Sequence, residues 1–287
     1  MMGGLRRDLL LGELPRQLLE GQLVLGRREV DHRTLQAARP HRLESRNRGG
    51  AAQAARARLD GQSMSETRER STALVTGAGT RVGRRIAQVL SREGFDLAIH
   101  YHSSRAEALD LAREIRAAGK VARVYRADLS RRGSAERLAA AVLRNQSPVA
   151  LLVNSASVWM RTPIGRTPAE AFDRLMAINL RSPFILSVIL GGAMKRRGAG
   201  VIINLLDWSL DRPYPDYVAY GITKAGLAAA TRGLARALAP EVRVNAVAPG
   251  AVLLPRGIRR ARADAIRRAV PLGRIGSPDD VAEAIAY

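Results

Sequence analysis

No cysteine occurs among the 287 residues, which excludes disulfides, thiolate metal sites and a cysteine nucleophile. Histidine is scarce too. The four (His32, His41, His100 and His102) form no His-Glu-x-x-His pattern, so no metal site is expected. No apolar run reaches 18 residues, so no membrane span is expected. Aromatic residues make up only 4% of the chain. Lysine occurs only at 120, 195 and 224, and arginine carries nearly all of the basic charge behind a net +21. A nucleic-acid surface is one reading of that charge. The arginines are scattered through helical and loop segments with few aromatics between them, which fits a coding bias from lysine to arginine, and no nucleic-acid partner is expected. In such a background Lys224 looks less replaceable than an average lysine.

What is present suffices for a core: 46% of the chain is hydrophobic. The length allows one large domain or two small ones. Residues 1–63 are rich in Arg, Leu, Gln, Gly and Ala, with no strand-like run. Asp8, Glu13 and Glu20 argue against a transit peptide, and no continuous apolar stretch suggests secretion, so a cytoplasmic location is expected. Some helix is expected around Leu9–Leu25. The segment reads either as a disordered arm or as an upstream stretch not normally translated, since Met64 opens a conventional start.

From about residue 70 to 287 the pattern is regular. Apolar runs at 73–76, 96–101, 121–126, 149–154, 201–206 and 242–247 read as strands. Helical spacing separates them over 82–90, 106–118, 135–144, 169–190 and 217–238. This alternation predicts an α/β fold, a Rossmann-like doubly wound parallel sheet with helices on both faces. A helix begins near Pro278 and the chain stops at Tyr287, where a seventh strand would be expected next.

Two clusters carry chemistry. Thr76-Gly-Ala-Gly-Thr-Arg-Val-Gly83 joins the first strand to the first helix, where glycines let the backbone approach a pyrophosphate and a helix N-terminus favours an anion. Arg81 occupies the position where a middle glycine is common. The end of the second strand reads His100-Tyr-His-Ser-Ser-Arg105, with no acid to hold a ribose 2′-hydroxyl. His102, Ser103, Ser104 and Arg105 suit a 2′-phosphate, so NADPH is the expected cofactor. Asp128, ending the third strand, can accept from the adenine amine or cap a turn. In the second cluster, Tyr220 and Lys224 lie one helical turn apart, thirteen residues after Asp207. A tyrosine titrates near about 10, and an adjacent lysine pulls that value down while a carboxylate pushes it up.

Together these residues resemble the short-chain dehydrogenase/reductase family, over about residues 70–287. The likeness rests on the glycine loop, Asp128-Leu129, Asn154-Ser-Ala-Ser157, Asn179, Tyr220 with Lys224, and Asn245-Ala-Val-Ala-Pro-Gly250. Within that family the pattern is similar to pteridine and dihydromonapterin reductases. Arg81 in the glycine loop, the His100-Tyr-His-Ser segment, Trp159 following Asn154-Ser-Ala-Ser-Val, and Asp207 in place of the usual catalytic serine all point that way. The resemblance implies an NADPH-dependent reductase of a pterin or folate-type ring, with a generic carbonyl or 3-oxoacyl thioester reductase as the alternative. It implies catalytic roles for Asp207, Tyr220, Lys224 and Asn179. It implies cofactor contacts from Gly77, Arg81, Val82, Gly83, His102, Ser103, Ser104, Asp128, Asn154, Ser155, Ala156, Lys224, Pro249 and Gly250. Ser157, Trp159 and Arg81 would meet the substrate. The segment 251–269 would form a substrate lid, and the protein would be a dimer or tetramer acting on a small molecule.

Overall fold

The strands form because short, branched, apolar runs are buried on both sides of one sheet. A computed structural model describes residues 71–287 except 146, 211, 255 and 256; the expectations for 1–63 lie outside the described residues. The strands are β1 (Thr72–Val75), β2 (Asp96–Tyr101), β3 (Ala122–Arg126), β4 (Val149–Asn154), β5 (Gly200–Leu205) and β6 (Val242–Val247). All pairings are parallel, in the order β3-β2-β1-β4-β5-β6. The doubly wound parallel sheet is therefore observed, with six strands among the described residues.

Period-two alternation divides the core between the two faces. Ala73, Val75, Leu97, Ile99, Leu151, Val153, Ile203 and Leu205 share one cluster with Ile86, Leu90, Leu111, Ile115, Val281 and Ile285. That cluster draws on helices α1 (Arg81–Arg92), α2 (Arg105–Ala117) and α8 (Pro278–Ala286). Leu74, Ala98, Leu152 and Ile202 point to the other face, with Leu138, Val142, Leu186, Leu190, Met194, Leu234 and Leu238. Here the covering helices are α3 (Ser134–Asn145), α5 (Ser182–Arg197) and α6 (Val218–Leu238). The remaining helices are α4 (Ala169–Met176) and α7 (Arg260–Ala269), the latter within the expected lid segment.

The helix expected over 169–190 is not uniform. A π-helical turn at Ala177–Arg181 separates α4 from α5, and α5 runs on to Arg197 before Gly198 ends it at φ 87°. The whole stretch Ala169–Arg197 is long and apolar enough to cross a membrane by length and composition. Leu175, Leu186, Leu190 and Met194 are fully buried, so its apolarity serves the protein's own interior.

Strand order reverses between β1 and β4, where an open α/β sheet forms a crevice at its carboxyl ends. Both connections that leave this point are fastened to each other. Thr76 Oγ1 accepts from Ser155 N–H at 2.9 Å and from Ala156 N–H at 3.0 Å. Gly77 sits at φ +67°, and a Cβ there would come within 3.0 Å of the Ala156 backbone. A Cβ on Gly83 would collide with the Gly77 carbonyl, so the loop closes only with glycine at both places.

Candidate active site

Tyr220 and Lys224 project from the first turns of α6, 5% and 3% exposed. The Tyr220 hydroxyl donates to Asp207 Oδ2 at 2.9 Å, and Ser209 N–H donates to Asp207 Oδ1 at 2.8 Å. Both carboxyl oxygens therefore act as acceptors. The phenol's acidity moves opposite to the effect expected of a neighbouring lysine. Burial, and then the charge of Asp207, push the Tyr220 pKa well above its ordinary value. Lys224 does not offset this, because its ammonium donates to the Leu205 carbonyl at 2.7 Å and lies 5.6 Å from the Tyr220 ring centroid. Burial lowers the Lys224 pKa to about 8, against the attraction of Asp207. The tyrosine is thus held as a neutral donor.

Asn179 lies in the π turn, a locally widened helical turn of a kind frequent at functional sites. Its side chain clamps the loop after β4. Its Oδ1 accepts from Val158 N–H at 2.8 Å and from Ser157 Oγ at 3.2 Å, while its Nδ2 donates to the Val158 carbonyl at 2.9 Å. A longer bond at 3.3 Å reaches Thr223 on α6. Asn179 thus ties Ser157 and the route to Trp159 to the helix that carries Tyr220.

Trp159 is 49% exposed, and one of its faces is already covered. Tyr217 stacks on it at 4.1 Å with 28° between the planes, while Tyr220 meets it edge-on at 4.5 Å and Tyr214 at 5.5 Å. Trp208 meets Tyr214 edge-on at 6.0 Å. Arg161 bridges to Asp216 at 2.6 and 3.0 Å and so joins the two loops that carry these rings. The recurrence of tyrosine at 214, 217 and 220, three residues apart, is the sequence signal for this cluster.

At the other end of the crevice the side chains differ in what they reach. Arg81 is exposed and takes φ 54°, the only non-glycine residue with positive φ among those described. Val82 is partly buried beside it. His102 and Ser103 are exposed and Ser104 is half-buried, close under Gly79. Asp128 takes the turn-capping role: Oδ1 accepts from Ser130 Oγ at 2.6 Å and from its N–H at 3.0 Å. Its Oδ2 lies 3.7 Å from His102 and 3.4 Å from Arg131. The hydroxyl of Ser130 first of all, and then its N–H and the two basic groups, keep the Asp128 pKa below its ordinary value. A groove of about 780 Å³ continues from here between β3 and α3, lined by Arg126, Arg131, Arg137 and Arg144, with Asp128 as the single acid among the described residues that line it.

Asn154 is the expected cofactor residue whose side chain goes elsewhere. It is buried in the sheet, donating to Asn204 Oδ1 at 2.8 Å and Ser187 Oγ at 3.1 Å. Alternation along β4 turns it toward the face covered by α5, and Ser155 and Ala156 carry the strand's end to the crevice. On β6's side, the Pro249 carbonyl accepts from Trp208 N–H at 3.2 Å, and Gly250 is exposed beyond it.

Fold, crevice and the Tyr220–Lys224–Asp207 arrangement define an oxidoreductase of the short-chain type. Residues 77–287 match the family described as enoyl-(acyl carrier protein) reductase, and the chain belongs to the short-chain dehydrogenase/reductase family. It is 32% identical to 3beta-hydroxysteroid dehydrogenase 1 of Eggerthella lenta, over 75% of this chain and 85% of that protein. It is 30% identical to a 3-oxoacyl-(acyl-carrier-protein) reductase of Staphylococcus epidermidis, over 75% of this chain and 90% of that protein. Among solved structures, the alternative dihydrofolate reductase 1 FolM of Brucella canis, complexed with NADP, is similar at 32% identity. Its TM-score is 0.72, with 77% of this chain and 89% of that one covered.

Proposed function

We propose that the protein reduces a C=N bond in a pterin or folate-type ring, with NADPH as reductant. The observation that carries this reading is the hydrogen bond from Tyr220 to Asp207. A carbonyl reductase needs a hydroxyl there to donate to a ketone oxygen. A carboxylate instead accepts, which suits a heterocycle that presents ring N–H and amino groups. The similarity to a dihydrofolate reductase supports the same substrate class. A thioester carbonyl reductase is the second reading, favoured by the similarity to a 3-oxoacyl reductase. Against it, Ser209 is buried and its N–H caps Asp207, so it does not replace the missing hydroxyl beside Tyr220.

NADPH, when bound, supplies the hydride that adds to the ring carbon. The chain's own residues hold and aim the reactants. Gly77, Arg81, Val82 and Gly83 take the pyrophosphate, and His102, Ser103 and Ser104 take the 2′-phosphate. The lack of a carboxylate at the end of β2, and the basic groove beyond it, fit that group. Ser155, Ala156, Pro249, Gly250 and Lys224 border the nicotinamide ribose, and Asn154 supports them from beneath. Tyr220, with Asp207, delivers the proton to the ring nitrogen. Ser157 and Trp159 meet the substrate ring, and Asn179 holds both in place. On this reading the enzyme works in the cytoplasm as a homo-oligomer on a small molecule.

Two results test the binding roles. Trp159→Ala raises KM for the ring substrate about three- to ten-fold, the loss of an aromatic contact of about 0.5–1.5 kcal/mol, without moving NADPH affinity. An unchanged KM would remove Trp159 from the substrate site. Arg81→Gly relieves a left-handed backbone costing about 1–2 kcal/mol but adds freedom to the unfolded chain. The ligand-free variant therefore melts no lower than wild type, while NADPH raises its melting temperature less. Thermal melts with and without NADPH check both signs.

A further inference from the structure

His100 is a polar ring at an interior strand position, 2% exposed, and no part of the proposed chemistry uses it. It makes three bonds at the cofactor end of the crevice. Gly77 N–H donates to Nδ1 at 3.1 Å, Nε2 lies 3.1 Å from the Ala127 carbonyl, and the His100 carbonyl accepts from Ala78 N–H at 2.9 Å. A backbone N–H cannot accept, so Nδ1 carries no proton. A carbonyl cannot donate, so Nε2 does. Only the neutral Nε2–H tautomer satisfies both contacts. Burial keeps the ring in that form by lowering its pKa to about 4, against the opposing bond to the Ala127 carbonyl.

The two ends of this ring matter. Gly77 opens the glycine loop that follows β1, and Ala127 immediately precedes Asp128 at the end of β3. The strand between them, β2, carries His100 and then His102, Ser103 and Ser104. One imidazole therefore spans the loop for the pyrophosphate and the strand end for the adenosine.

We propose that His100 is a positioning residue for the dinucleotide, a strut that fixes the glycine loop against the end of β3. It rests on the reading of the crevice as an NADPH site. Without the strut, the part-buried Gly77 N–H and Ala127 carbonyl lose the partner that the ring provides, and the loop relaxes away from the geometry that holds phosphate.

The test compares wild type, His100→Leu and His100→Gln by NADPH fluorescence titration, well below the melting temperature of each. Leucine fills the site but satisfies neither contact. Glutamine presents an acceptor and a donor on one amide, as the neutral ring does. The expected result is a dissociation constant for NADPH raised about ten-fold or more in His100→Leu, and within about three-fold of wild type in His100→Gln. kcat at saturating NADPH stays near wild type in both. The ligand-free wild type supplies a second readout. Its imidazole nitrogen resonances include one histidine as the neutral Nε2–H tautomer, and its Nδ1 signal moves when NADPH is added. Wild type that binds no NADPH would overturn the cofactor assignment and this inference with it. Wild type that binds, with His100→Leu equal to it within about two-fold, would overturn this inference alone, as would an Nδ1–H tautomer at His100.

Discussion

Replacing Tyr220 by phenylalanine lowers kcat by about 10²–10⁴-fold, the usual contribution of a positioned proton donor, and leaves NADPH affinity nearly unchanged. Two observations make this a kinetic effect and not a folding defect. The ring packs against Leu175 and Ala219, and phenylalanine keeps that packing. Phenylalanine gives up only the hydroxyl's bond to Asp207, and Asp207 keeps its second bond from Ser209 N–H. Stopped-flow measurement of a single turnover separates the chemical step from binding. A variant with wild-type kcat would show that the proton comes from elsewhere.

Asp207→Ser is expected to lower ring reduction by about 10²-fold and to introduce turnover of a 3-oxoacyl thioester. The serine would supply a donor to a carbonyl oxygen and remove the acceptor that faces a ring N–H. The pH dependence changes with it, and the sign follows from the Tyr220 environment. In wild type, burial and then Asp207 hold the tyrosine pKa above its ordinary value, so the proton donor stays protonated through the alkaline range. Removing the charge lets that pKa fall, although burial still raises it. Activity of the variant therefore declines at lower pH on the alkaline side than that of wild type. Paired pH profiles of kcat check this direction, and an alkaline limb moved upward would contradict it.

The fold is largely legible in the sequence because its signal is local. Every β2, β4 and β6 boundary follows from an apolar run that ends in a polar or glycine-rich turn, and the observed strands match those runs. Alternating βα units then leave few topologies, and a parallel sheet covered on both faces follows from them, whereas the strand order is read only from the structure. The π turn at Ala177–Arg181 is not legible, since its residues keep helical spacing, and the bond of Asn179 to Val158 joins segments that periodicity does not relate. The site divides in the same way. The proximity of Tyr220 and Asp207 can be anticipated from a strand end and the start of the following helix. Where Lys224 points cannot, because its partner is a strand carbonyl fixed by how α6 lies on β5. Asn154 departs from expectation for a related reason: its place at a strand end suggests the crevice, but the pleat turns its side chain into the sheet. His100 and the cover of Tyr217 over Trp159 depend on contacts between segments far apart in the chain, for which periodicity carries no signal.

The most direct test of the central claim is the rate of NADPH consumption by wild type with dihydrobiopterin and with dihydrofolate, set beside the rate with an acetoacetyl thioester. The account predicts turnover of a pterin or folate ring and little or none of the thioester, with that preference reversed by Asp207→Ser. Thioester turnover without ring turnover in wild type would contradict it, and would leave Asp207 without its substrate-facing role.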